Sequence, residues 1–195
     1  MKGNVQIMIS RTSIITVILG LFLIGCSQKA TQMEALLDSP EHHVVSGFIF
    51  IKKNMLNDAQ REFEHALQYD PRFSAALRGI GLVYGLKKRF KPAFDSMAVA
   101  VLYAKTEQEK ALAYVGYIRL HRMRGEKGWL GEAEKNFTLA TSLVNDLPEA
   151  YYYLGIAYKA GYRYAEAKSA FKKVLEINKN LVTEAEEQLR DIQEL

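Results

Sequence analysis

The residues best suited to catalysis or metal binding are one cysteine, Cys26, and four histidines, His42, His43, His65 and His121. Glu62 and His65 stand three apart, so on a helix they share a face and offer half of a di-metal carboxylate site. Such a site needs a second Glu-x-x-His and further glutamates on facing helices. The chain has one such motif, and its phase sets it on the outer, solvated side of its helix. His42 and His43 are adjacent and lack a cysteine or carboxylate at a zinc-ligand spacing. No nucleophile elbow, phosphate-binding glycine loop or acid–base carboxylate pair is present. The basic run Lys87 to Lys91 reads as a solvated turn between helices. These residues predict a protein that is not an enzyme and holds no metal and no cofactor.

The elements that carry them begin with a leader. Lys2 and Arg11 give a basic start without acids, and Ser13 to Ile24 is a nearly continuous apolar run. A run of this length is short of the roughly 20 residues that span a bilayer, and its flanks read as a secretory signal peptide. The order Leu23, Ile24, Gly25, Cys26 resembles the bacterial lipobox. The resemblance implies cleavage after residue 25 and diacylation of the Cys26 thiol, so the expected divisions are a signal peptide over 1–25 and a lipidated tether over 26–39. Two or more acyl chains hold a protein stably on a membrane without a spanning helix. Ser27, where aspartate is absent, implies by the same resemblance an outer-membrane anchor facing the periplasm. The formal net charge is +4. Loss of Lys2 and Arg11 with the leader leaves +2, too little to argue for nucleic acid.

Past Ser39 the chain repeats itself. Gly47 to Ala59, Gly81 to Ala93 and Gly155 to Ala167 are each twelve residues. Gly47 to Gly81 is thirty-four, Gly81 to Gly116 one more, and Gly116 to Gly155 thirty-nine. The extra residues fall between Gly116 and Ala133, around Gly125, Gly128 and Trp129, where they predict a longer turn with Trp129 packed back on the helices. Each unit places apolar residues at helical spacing on two short segments. Phe50, Phe63 and Pro71 mark the first unit, Leu77, Tyr84 and Met97 the second. Leu112, Val115 and Phe137 mark the third, and Tyr151, Leu154, Tyr158 and Phe171 the fourth. Ser39, Pro40 and Glu41 predict a helix start. A tight turn is expected at Gly161, and close backbone approach at each Gly–Ala pair.

This pattern resembles the tetratricopeptide repeat, a helix–turn–helix unit of 34 residues. The resemblance implies an all-α solenoid of about four units over 40–73, 74–107, 109–147 and 148–180. A capping helix over 181–195 completes it, with Leu181, Ala185, Leu189 and Ile192 on one stripe. In that family the first helices line a concave groove for peptides or partner helices. Carried onto this chain, the groove positions are Val44, Phe48, Ile51, Arg78, Leu82, Gly85, Ala113, Tyr117, Leu120, Tyr152, Ile156 and Lys159. Only Arg78 and Lys159 are charged, so a largely apolar groove is expected, holding an amphipathic or apolar segment of a protein partner. The alternative occupant is the chain itself, for example its 28–39 segment. Anchor, size and repeats resemble the lipoproteins that assist type IV pilus biogenesis by escorting the secretin. They also resemble repeat lipoproteins of the β-barrel assembly machine and scaffolds of peptidoglycan hydrolases. All three imply a membrane-anchored adaptor in envelope assembly; the alternative of another class is an enzyme or small-ligand-binding protein using the groove as a pocket, for which Arg78 and Lys159 are the only polar candidates there.

Overall fold

A computed structural model describes residues 39–194. The expected signal peptide, Cys26 and nearly all of the tether lie outside the described residues. Within them are α1 (Pro40–Lys52), α2 (Leu56–Tyr69), α3 (Ser74–Leu86), α4 (Phe90–Tyr103) and α5 (Glu107–Arg124). The next four are α6 (Trp129–Leu143), α7 (Pro148–Ala160), α8 (Tyr164–Ile177) and α9 (Val182–Gln193). The described chain is all helix and connecting turns, without a strand. None of these helices is long and apolar enough to cross a membrane.

The ends of the helices reflect local chemistry. Ser39 accepts a hydrogen bond from the His42 backbone N–H at 3.1 Å, with Pro40 in the first turn. Thr106 accepts from the Glu109 N–H at 3.1 Å, and the Glu109 carboxylate reaches back to the Lys105 N–H at 2.6 Å. This reciprocal cap starts the third pair at Glu107, two residues before the start expected from repeat spacing. The extra residues of that unit lengthen α5, and a short turn bounded by Gly125 and Gly128 comes after it. Both glycines are left-handed, at φ 66° and 83°, a conformation glycine adopts without a Cβ penalty. Trp129 opens α6, half-buried against Ile118, Ala133 and Ala157, as expected.

In the other three units the left-handed residue is not glycine. Asn54, Lys88 and Tyr162 hold it, each seven residues after the repeat glycine. Gly161 itself keeps a negative φ. The expected turn is there, with its left-handed step taken one residue later.

Paired helices α1/α2, α3/α4, α5/α6 and α7/α8 pack together, and each second helix also packs on the next first helix. The first helices α1, α3, α5 and α7 stack side by side as one layer, and α9 closes the end on α8. The repeat glycines make room mainly for side chains. A Cβ on Gly47 would stand 2.6 Å from Cε1 of Phe63, and one on Gly155 2.7 Å from Cε1 of Phe171. Gly79 of the next unit faces the same Phe63 ring, and Gly116 faces Met97. The expected approach of backbone to backbone holds at Gly81, where a Cβ would meet the Ala93 carbonyl at 3.0 Å. Phe63 and Phe171 have no exposed surface and act as knobs within and between units.

Candidate partner-binding groove

Four first helices with a common stacking direction leave a concave face, and a cavity of about 260 Å³ lies on it. Every lining residue comes from α1, α3, α5 or α7. From α1 come Phe48 and Lys52, from α3 Arg78 and Leu82, from α5 Leu112 and Arg119, and from α7 Glu149 and Tyr153. Val115 and Gly116 complete the floor. Three of the residues expected from the repeat pattern are therefore at the site: Phe48, Arg78 and Leu82. Leu82 is fully buried and contributes as floor.

The remaining expected positions are placed elsewhere. Val44 and Leu120 are core residues, at 8 % and 0 % exposure. Leu120 packs toward Gly85 of the preceding unit. Ile51 is half-buried between the first and second core clusters. Gly85 and Ala113 are buried. Tyr117 turns toward α4, its ring 5.8 Å from Phe94, and burial pushes its hydroxyl pKa up. One set of offsets did not serve four units because residues on a helix advance by about 100° each. Each helix lines a shared cavity with the flank it turns toward that cavity. On α5 that flank carries Leu112, Val115 and Arg119, on the other side from Tyr117.

The C-terminal end of the concave face is occupied by the chain itself. Lys159 Nζ donates to Gln188 Oε1 at 2.9 Å and to Asp191 Oδ2 at 3.0 Å, both on α9. Tyr152 and Ile156 pack in the cluster that α9 closes with Ala185, Leu189 and Ile192. Burial, then the nearby Tyr153, Glu184 and Glu187, pushes the Tyr152 hydroxyl pKa up. Among the described residues the element that covers this end is the capping helix; the 28–39 segment, named from sequence as an alternative occupant, lies almost wholly outside the described residues. Lys52 Nζ stands 3.6 Å from Glu184 Oε1, so α9 reaches the first helix at the mouth of the cavity.

The cavity itself is not the largely apolar surface expected from sequence. Its rim carries three cations, Lys52, Arg78 and Arg119, against one carboxylate, Glu149. The Arg78 guanidinium lies 4.7 Å over the Phe48 ring, and that of Arg119 4.5 Å over Tyr153. Neither forms a hydrogen bond or ion pair among the described residues. Burial, and secondarily the charge of Arg119, lowers the Arg78 pKa to about 10. Burial also lowers that of Arg122, one turn along α5. Arg119 stands three residues after Gly116, where the other units carry Phe50, Tyr84 and Tyr158, and that departure does not indicate which way the side chain faces.

Three of the four histidines, His42, His43 and His65, gather at the other end, while His121 lies against Phe94. His43 Nδ1 lies 2.8 Å from Glu62 Oε2, and His65 and Tyr69 rings pack around His43 at 5.3 and 5.9 Å. No group of three or more His, Cys, Asp or Glu among the described residues is arranged to hold a metal ion.

Residues 148–181 match the tetratricopeptide repeat model. A search of curated proteins finds no match. Among solved structures, the chain is similar to Pseudomonas aeruginosa pilF, with TM-score 0.56 and 19 % identity over 78 % of this chain and 67 % of that one. It is also similar to a thermophilic TPR protein of Thermus thermophilus, with TM-score 0.60 and 17 % identity over 78 % and 80 % of the two chains. The anaphase-promoting complex Cut9–Hcn1 assembly aligns at TM-score 0.55 and 19 % identity, over 73 % of this chain and 26 % of that one. At these identities the likeness is one of fold. With the four helix pairs, the shared concave layer and the closing helix in hand, the described chain is an all-α tetratricopeptide-repeat solenoid.

Proposed function

We propose that this protein is a membrane-anchored adaptor of envelope assembly that docks a segment of a partner protein on its concave face. The observation that carries the reading is the cavity at the N-terminal half of that face, bordered by Phe48, Arg78, Arg119 and Tyr153. It is large enough for a few side chains and opens among four helices, while no described residue fills it. The anchor in this reading is the acylated Cys26, supported by the leader and by the lipobox order of residues 23–26. Type IV pilus or secretin biogenesis is the favoured pathway, supported by that anchor and by the fold shared with Pseudomonas aeruginosa pilF.

The test is site-specific photocrosslinking in native membranes, with a photoreactive residue replacing Tyr153 and, as control, Tyr162 on the opposite end of its helix pair. Tyr162 is 80 % exposed and lies in a turn. The expected adduct forms from position 153, is identified by mass spectrometry as a secretin or other envelope-assembly component, and is weak or absent from position 162. Equal adducts from both positions remove the groove from the reading. A Cys26→Ser chain that stays in the membrane fraction removes the anchor.

A further inference from the structure

The N-terminal end of the solenoid is built like a junction between repeats, yet no described residue takes the neighbour's place. The residue two places after each repeat glycine shows this. Val83, Ile118 and Ala157 hold that place in the second, third and fourth units and have no exposed surface. Ile49 holds it in the first unit and is 46 % exposed. The residue two places before the glycine repeats the contrast between the first two units. Gly79 is buried against the Phe63 ring of the preceding unit, whereas Val45 is 58 % exposed. Val45 and Ile49 stand four apart on α1, so they form one apolar stripe. His42, Lys52 and Lys53 flank it, with Glu41 at the start of the helix, all four exposed. Among the described residues, four of the seven exposed large apolar side chains belong to the first helix pair (Val45, Ile49, Met55 and Tyr69), so the missing cover is at this end. At the other end α9 supplies it.

We propose that the chain's own residues 33–37 dock on this stripe, as the N-terminal counterpart of α9. The stretch from Ser27 to Asp38 is twelve residues, too short for another helix pair, since Pro40–Tyr69 takes thirty. It is long enough for one docked strip. Its large apolar residues are Met33, Leu36 and Leu37, at the spacing of one helical face. Its acids, Glu34 and Asp38, are opposite in charge to Lys52 and Lys53. Val45 and Ile49 lie about 8 and 14 Å beyond Pro40 along α1, at 1.5 Å per residue. A chain that turns back at Ser39 carries residues 33–37 across both, at up to about 3.4 Å per residue. A second copy seated here by a two-fold axis would instead bring the same lysines together, like charge on like. Docking also sets the geometry of the anchor, a consequence that rests on the reading of Cys26 as acylated. The free tether shrinks from about 44 Å to about 24 Å at 3.4 Å per residue. The first helix is then held near the bilayer, and the concave face keeps one orientation to it.

The test uses the full chain in native membranes, carrying Ile49→Cys together with Met33→Cys, Leu36→Cys or Leu37→Cys in turn. Mild oxidation and peptide mass spectrometry should show a disulfide within one chain from at least one of these pairs. None should form when the partner position is Leu102→Cys, whose side chain is 72 % exposed on α4. Cys26 is the one native cysteine, and its acyl mass is read in the same spectra. The second readout is alkylation of a single Ile49→Cys by a water-soluble maleimide. It should run about tenfold slower than at Leu102→Cys, a docking free energy of about 1.4 kcal/mol. Leu36→Asp/Leu37→Asp should abolish that protection, with helicity equal in all variants. Absence of every disulfide to position 49, with alkylation there as fast as at position 102, overturns the docking. A disulfide joining position 49 of two chains assigns the face to a second copy. Protection that vanishes in detergent and ignores the leucine substitutions assigns it to the bilayer. Either result overturns the proposal. An unacylated Cys26 peptide removes the anchor reading and leaves the docking decided by the same data.

Discussion

The two halves of the concave face carry equivalent residues and meet opposite fates. At the C-terminal half, Lys159 is tied to Gln188 and Asp191, and Tyr152 and Ile156 are packed under α9. At the N-terminal half, Arg78 and Arg119 rest on aromatic rings and border open space. A repeat exposes the same type of surface in every unit, and the units differ in the neighbour that each one meets. The last unit must be covered, because an open terminal face leaves apolar surface in water. The helix that covers it consumes the binding surface there. A groove in a capped solenoid is therefore shorter than its repeat number suggests.

The contrast can be broken or sharpened in order of expected effect. Phe171→Ala empties the knob under Gly155 and beside Tyr152, and should cost about 3–5 kcal/mol in urea unfolding monitored by helicity. Phe63→Ala should cost a similar amount and also reduce peptide capture, because its ring supports that of Phe48 at 5.1 Å. If both variants lost capture equally, the two halves would not be separable.

A smaller effect, with opposite signs in the two halves, is expected from removing cations. Arg78→Met should leave stability unchanged or raise it by about 1 kcal/mol, because a half-buried cation without a hydrogen-bonded partner among the described residues is replaced by an apolar chain of similar length. Its pKa of about 10 has the matching sign: the charged form is disfavoured in the folded state, and the penalty lifts as pH rises through that value. Lys159→Met should lower stability by about 0.2–1 kcal/mol, the range of partly exposed ion pairs. Denaturant midpoints of the two variants measure both signs, and a loss at Arg78 equal to that at Lys159 would erase the contrast.

The smallest effect belongs to the packed flank of α5. His121 lies against Phe94 at 4.9 Å, and burial lowers its pKa. Protonation therefore favours the unfolded chain. The stability it contributes above about pH 6.5 is lost as pH falls through the folded-state value. His121→Gln should flatten that part of the stability profile, measured as the denaturant midpoint against pH. A profile unchanged by the substitution would mean that the imidazole is wetter than its packing suggests.

Much of this architecture is written locally. The twelve-residue step from glycine to alanine, the Ser39 and Pro40 start and the Leu181–Ile192 stripe each specify a helix or a pair by short-range periodicity. Those features predict four pairs and a cap. The role of each glycine was less legible. Gly47 and Gly155 were expected to admit a neighbouring backbone, and instead they admit Phe63 and Phe171. Sequence shows that a side chain is missing but not which group takes its place. Candidate groove residues were legible where helix phase and cavity coincide, at Phe48 and Arg78. They were not legible where α5 turns its other flank inward, as Arg119 shows.

Sequence by itself determined what each unit is: its two amphipathic helices, their caps, and the apolar stripe of the final helix. These depend on residues within a turn or two of each other, and hydrogen-bonding and helical periodicity act at that range. Tertiary structure alone decided which flank of each helix faces the concave side, that α9 lies beside both Lys159 and Lys52, and that two arginines from different repeats share one wall. These depend on the rotation between successive units and on the seat of the last helix. Both are set by packing among residues far apart in the chain.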